Sequence, residues 1–201
     1  MDAPVLNTVS AIFGKRGSGK TEYLKGNKAL NLPGFFNAYL QRDMKVLTID
    51  TVDHPSYSDI PFIHPERLPR WKKGVYRTFV KEHEMKELNT LINDLPSMWN
   101  TFLVYEDPFK HQDGFLSKPE KSLIIDSKQK NIDMMFMYPA FSMCPKRLFK
   151  FLDFIELFKT LDHPINRKID MSSYYGQVME IYNKVQSHPS PFFHQTINTG
   201  L

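Results

Sequence analysis

The sequence predicts an α/β protein with a mostly parallel sheet covered by helices, and three observations carry that expectation. A glycine-rich phosphate-binding pattern lies between a strand-like and a helix-like segment. Short apolar runs alternate with amphipathic stretches through most of the chain. One of those runs, TFLVYED, ends in two carboxylates.

Taken in order, Val5 to Phe13 is rich in β-branched and apolar residues and runs straight into glycines, as a buried strand ending in a loop would. From Lys20 to about Leu30 the chain has good helix formers and no proline, and NLPGF then breaks it. Lys45 to Thr51 reads as a second strand, and Val75 to Val80 as a short extra one. Between Glu84 and Leu95, residues Met85, Leu88, Leu91, Ile92 and Leu95 form one apolar helical face. Thr101 to Tyr105 follows as a strand. Pro119 to about Lys130 reads as a helix, Asp133 to Tyr138 as a strand, Pro145 to Leu152 as a helix and Phe154 to Phe158 as a strand. A second helical stripe runs from Met171 to Val185, and the tail SHPSPFFHQTINTGL carries Phe192 and Phe193, which argues that it docks.

The chain has 201 residues, 41% hydrophobic and 24% charged, enough for one α/β core and short for two. It is therefore read as one domain over 1–201, with a core over about 5–160 and a C-terminal helix and tail over about 161–201. The net charge of +4 suits an anionic partner. Cys144 is the single cysteine, so no internal disulfide is possible, and the N-terminus lacks a basic region followed by a cleavable apolar stretch. A reducing cytoplasm is the expected compartment. No apolar run approaches the roughly 18 residues of a membrane span. The seven histidines show no close ligand spacing, and no structural metal is expected.

The segment GKRGSGKT has the spacing G-x-x-x-x-G-K-[ST] over Gly14, Lys15, Arg16, Gly17, Ser18, Gly19, Lys20 and Thr21. The glycines permit backbone angles that turn successive N–H groups toward phosphates at a helix start. Lys20 is expected to bridge the β and γ phosphates of ATP, and the Thr21 hydroxyl to ligate Mg²⁺. Glu106 and Asp107 end the TFLVY strand; Glu106 is assigned to the Mg²⁺ side and Asp107 to the attacking water. The stretch RLPRWKKGVYR places Arg67, Arg70, Lys72, Lys73 and Arg77 beside Trp71 and Tyr76, a composition suited to a nucleic-acid backbone with rings for stacking or packing.

The segments AIFGKRGSGKTEYL, FLVYEDP and DSKQKNIDMMFMYPAFSMCPKRLFKFLDFIELFKT resemble the FtsK-HerA superfamily, and within it the small genome-packaging ATPases of membrane-containing icosahedral viruses. The resemblance covers about residues 8 to 160. It implies a RecA-like sheet in the order 5-1-4-3-2 with helices on both faces, ATP and Mg²⁺ as cofactors, and a hexamer-like homo-oligomeric ring. It also implies ATP-driven movement of viral DNA into a preformed capsid, in the host cytoplasm or at the virion, with a capsid vertex or membrane-associated viral protein as a further partner.

Two departures accompany it. Where relatives carry a polar sensor residue this chain reads Tyr138, Pro139, Ala140, leaving Tyr138 or Ser142 for that role. Where relatives carry an arginine reaching into the neighbouring subunit, this chain has Lys128 and Lys130, with Arg147 and Arg167 as alternatives. The P-loop and size also fit a small-molecule or nucleotide kinase, which would ask for an arginine-rich lid, and a nucleotide-dependent virion assembly or export ATPase.

Overall fold

The computed structural model describes residues 7–27, 32–51, 53 and 55–200. Seven strands form one sheet: β1 (Val9–Phe13), β2 (Lys45–Asp50), β3 (Val75–Phe79), β4 (Thr101–Glu106), β5 (Ile132–Tyr138), β6 (Phe154–Leu157) and β7 (Gln195–Asn198). They stand in the order β3-β2-β4-β5-β1-β6-β7. Every neighbouring pair is parallel except β6 with β7.

The covering helices include α1 (Lys20–Lys25), α2 (Phe35–Leu40), α3 (Met85–Asp94), α4 (Lys118–Lys130) and α5 (Tyr175–Ser187). Because side chains alternate along a strand, β4 sends Leu103 and Tyr105 into the cluster shared with α3, α4 and α5. Phe102 and Val104 go into the cluster shared with α1 and α2. Helices therefore cover both faces, and the central strands are buried on both sides.

The five-strand order expected from the sequence does not describe this sheet, which carries a further strand at each edge. Beyond β2 lies β3, the extra strand already visible as VYRTFV, and its outer side bonds again: Arg77 N–H donates to Pro61 O (2.9 Å) and Ile63 N–H to Arg77 O (2.8 Å). Beyond β6 lies β7, which the sequence reading left as a docked tail. It pairs Phe154 with Asn198 and Ile155 with Ile197, and Ile197 is fully buried. Without it β6 would present an unpaired edge.

Other boundaries moved for local reasons. The first strand begins at Val9, after Asn7 at a φ of 65°; Val5 and Leu6 lie outside the described residues. Helix α1 ends at Lys25 because Gly26 turns to a φ of 82°, and Asn27 pairs back against Leu32. The remainder of the helix expected to Leu30 falls on residues outside the described set. The sequence reading missed α2. Pro145 to Leu152 is not a helix: only Leu148–Lys150 makes a 3₁₀ turn, and Leu148, Phe149 and Leu152 are all drawn into the core. The stripe from Met171 is broken at Ser172 (φ 23°), so that α5 starts at Tyr175.

Candidate functional site

In a parallel sheet of this kind, ligands gather where the strands end. The loop after β1 is held at its root from both sides. Gly14 N–H donates to Tyr138 O (2.9 Å) at the end of β5, and Lys15 N–H donates to Lys159 O (2.7 Å) beyond β6. A Cβ on Gly14 would stand 2.7 Å from both Phe158 Cβ and Ser18 Oγ, so only glycine fits there. Gly17 (φ 77°) and Gly19 (φ 92°) turn the loop over into α1. Gly19 occupies the helix N-cap and brings no side-chain acceptor, so the first N–H groups of α1 face the cleft uncapped. The Ser18 hydroxyl is buried with no hydrogen-bond partner in the protein.

The cleft above this loop measures about 370 Å³ and is lined by Arg16 to Glu22, Ser56, Glu106, Asp107, Phe109, Pro139 and Phe192. The sequence-predicted phosphate loop and the acidic pair therefore share one cavity, although 84 residues lie between Thr21 and Glu106. Lys20 Nζ donates to Gly14 O (2.6 Å) and Lys15 O (3.3 Å). Burial pulls its ammonium below the ordinary lysine range, while Glu106 and Asp107 oppose that shift.

The two carboxylates differ. Glu106, the last residue of β4, is 9% exposed, and burial pushes its carboxyl up to about 7. The Tyr57 hydroxyl donates to its Oε2 (2.8 Å) and restrains the rise, as does Lys20; Asp107 adds to it. Asp107 sits past the strand in the left-handed region (φ 48°), is partly exposed, and accepts from Lys110 Nζ (3.1 Å).

Tyr57 is a candidate positioning residue behind the cleft that sequence reasoning missed. It lies on the 3₁₀ turn Pro55–Tyr57, fully buried, and its hydroxyl also bonds the Thr21 side chain. It thus joins Thr21 to Glu106, the two residues assigned to Mg²⁺. Lys25 of α1 fixes this turn by donating to Ser56 O (2.5 Å) and pairing with Asp59. A tyrosine in DHPSYSD carries no periodicity signal that would have marked it.

Other candidates sit elsewhere. Tyr138 points into the core, donates to Gln112 Oε1 (2.7 Å) and stacks on Phe13, so it does not face the cleft; Pro139 does. Ser142 is exposed and its N–H is held by Asp162 Oδ2 (2.8 Å). Lys128 and Lys130 lie at the end of α4 that packs beside the starts of β4 and β5, where Asn100 N–H donates to Lys130 O, away from the cleft at the strand ends. Lys130 Nζ is committed to Asn93 O and Oδ1 (both 2.6 Å), whereas Lys128 is 65% exposed. Arg147 lines a separate basic cavity with Lys121, Lys146, Lys150 and Arg167. Arg167 itself bonds Phe141 O (3.1 Å) and Ser142 O (2.6 Å).

In the basic stretch, Arg67, Arg70, Lys72 and Lys73 are exposed. Trp71 is not a free stacking surface: it is 6% exposed, donates Nε1–H to Lys73 O (2.9 Å) and carries Lys45 Nζ 5.2 Å above its ring. Arg77 is tied to Ile60 O and Asp53. Among the described residues no three His, Cys, Asp or Glu side chains cluster as a metal site, and no helix is long and apolar enough to cross a membrane.

No protein-family model and no curated protein sequence matches this chain. Solved structures do. The genome packaging NTPase B204 of Sulfolobus turreted icosahedral virus 2, in complex with ATP-gammaS, superimposes with a TM-score of 0.74 at 12% identity, over 96% of this chain and 92% of that one. Its complex with AMPPCP gives a TM-score of 0.74 at 13% identity, over 96% and 93%. B204 of Sulfolobus Turreted Icosahedral Virus, described as a DNA-packaging ATPase, gives 0.68 at 15% identity, again over 96% and 93%. Across nearly its whole length, this chain is similar in fold to those viral packaging NTPases.

Proposed function

We propose that this chain is an ATP-hydrolysing, DNA-translocating motor that packages a viral genome into a preformed capsid. The observation that carries the reading is the convergence of Lys20, Thr21 and Glu106 on one cleft at the strand ends. The fold likeness to B204 supports it, as does the order of the strands. With edge strands β3 and β7 set aside, the remaining five stand as β6-β1-β5-β4-β2, which numbered along the chain is the RecA-like 5-1-4-3-2.

In this reading the loop N–H groups and Lys20 hold the phosphates of ATP. Thr21 and Glu106 would hold Mg²⁺, and the residues fit that ion: a carboxylate buried enough to reach about 7 gains most from a cation beside it, and the Tyr57 hydroxyl already bonds both Glu106 and Thr21. Magnesium, when bound, neutralises charge on the phosphate oxygens. Asp107, more exposed and held by Lys110, orients the attacking water. Arg67, Arg70, Lys72 and Lys73 offer charge to a DNA backbone. Subunits form a ring in which Lys128 or Arg147 of one chain serves the site of the next. The ring works in the host cytoplasm or at the virion, against a capsid vertex or a membrane-associated viral protein.

ATP turnover with and without double-stranded DNA, measured together with mass in solution, tests this. DNA-stimulated hydrolysis by an oligomer, lost at least about a hundredfold in Lys20→Ala, is expected. Near-normal turnover in folded Lys20→Ala would overturn the site, and phosphate transfer to a small acceptor would overturn the motor. Asp107→Asn should slow turnover with Mg²⁺-ATP affinity kept, whereas Glu106→Gln should weaken both.

A further inference from the structure

Phe192 lines the cleft beside the phosphate loop and is 58% exposed, although the chain on either side of it is firmly committed. Before it, His188 O accepts from Lys159 Nζ (2.5 Å), and Ser190 N–H donates to His188 Nδ1 (3.2 Å). The Phe192 N–H itself donates to Ser190 Oγ (3.2 Å). After it, Phe193 stacks on His188 with ring centres 3.9 Å apart and packs against the core. His194 stacks on Phe158 at 4.6 Å, meets Tyr23 edge-on at 4.9 Å and bonds the buried Glu156 carboxylate, and β7 follows at once. The exposed ring is thus held in place from both ends. Its Cδ1 lies 3.1 Å from where a Cβ on Gly19 would stand, so the ring sits beside the loop at Gly19.

The sheet order decides what such a ring can meet. From β1, the acidic pair lies two strands away on one side, through β5 to β4; β7 lies two strands away on the other, through β6. A nucleoside triphosphate bound to the loop must direct its terminal phosphate toward the carboxylates, where the cation and water are handled. Its nucleoside then leaves toward β6 and β7. A base has a flat π face, and a fixed, exposed aromatic ring is the complement of such a face.

We propose that Phe192 is the nucleobase platform of this site: the base of the bound nucleoside triphosphate stacks on its ring, so the C-terminal segment completes a pocket begun by the N-terminal loop. The inference rests on the nucleotide-binding reading above. Stacking recognises a face and not a hydrogen-bonding edge, so Phe192 serves ATP and GTP alike.

Binding of ATP and of inorganic tripolyphosphate to the full chain, wild type, Phe192→Ala and Phe192→Trp, measured by titration calorimetry with circular dichroism to confirm folding, tests it. Phe192→Ala should bind ATP about tenfold to a hundredfold more weakly and tripolyphosphate as wild type does. Phe192→Trp should keep ATP affinity and show fluorescence quenching by ATP, beyond that of wild type, but none by tripolyphosphate. Unchanged ATP affinity in Phe192→Ala, with or without a loss of self-association, overturns the platform, as does an equal loss for both ligands. A wild-type chain that binds neither ligand overturns the nucleotide site as a whole.

Discussion

The Tyr57 hydroxyl donates a 2.8 Å hydrogen bond to Glu106 Oε2 and bonds Thr21 as well, so one phenol ties the turn after β2 to the end of β4 and the start of α1. That bond favours the ionised carboxylate, against burial that disfavours it. Tyr57→Phe should therefore raise Glu106 further above about 7. The acidic limb of Mg²⁺-ATP binding should shift upward by the same amount. A pH series of binding titrations reads the shift; an unmoved limb would separate Tyr57 from the site.

Glu106 also makes stability depend on pH. Its folded-state value of about 7 lies above the ordinary 4.5. Below 4.5 both states hold the proton; between the two values only the folded state does. The contribution present at low pH is consequently lost as pH rises through about 7. Glu106→Gln, which stays neutral, should equal wild type near pH 4 and exceed it by up to about 3 kcal/mol near pH 8, in urea unfolding without nucleotide or Mg²⁺. Equal stability at both pH values would contradict the buried-acid assignment.

Trp71 and its basic neighbours should part company. Trp71→Ala removes a buried ring that bonds Lys73 O and carries Lys45, so it should cost about 3 to 5 kcal/mol of stability. Replacing the exposed Arg67, Lys72 and Lys73 with alanine should leave the melting temperature nearly unchanged. If they touch DNA, it should also flatten the salt dependence of DNA binding, by about one unit of slope per lost contact. A triple variant with the wild-type slope would remove this face from the DNA path.

For the ring, a chain carrying Lys20→Ala mixed with one lacking the trans-acting cation should regain activity that neither has alone, because some interfaces then pair an intact loop with an intact donor. Lys128 and Arg147 are the variants to mix. Lys130→Ala should instead lower stability, since its ammonium holds the end of α3 through Asn93. Failure of both mixtures, with turnover independent of protein concentration, would exclude a shared site.

Much of the candidate site was legible because its signals are local. A phosphate loop needs glycines where φ is positive, and Gly17 and Gly19 sit at 77° and 92°, within eight consecutive residues. The apolar run before Glu106 announced a buried strand with a carboxylate at its end, and the periodicity of Met85 to Leu95 announced α3. In each case the property that shapes the backbone belongs to residues adjacent in the chain.

What the tertiary structure alone decided depends on surfaces brought from far apart. Burial under Tyr57, which no motif marks, distinguishes Glu106 from Asp107. Tyr138 was a plausible sensor by position, but β5 turns it to the face packed against Phe13 and Gln112, because alternate residues of a strand face opposite ways. Trp71 looked available within a basic stretch until Lys45 and the backbone of Lys73 closed over it. The C-terminal tail became β7 because β6 had an edge to fill, and that pairing set Phe192 over Gly19, about 170 residues earlier in the chain. Residue type and spacing determined which chemistry the loop can support; desolvation and strand pairing, which exist only once the chain has folded, decided which side chains share its cleft.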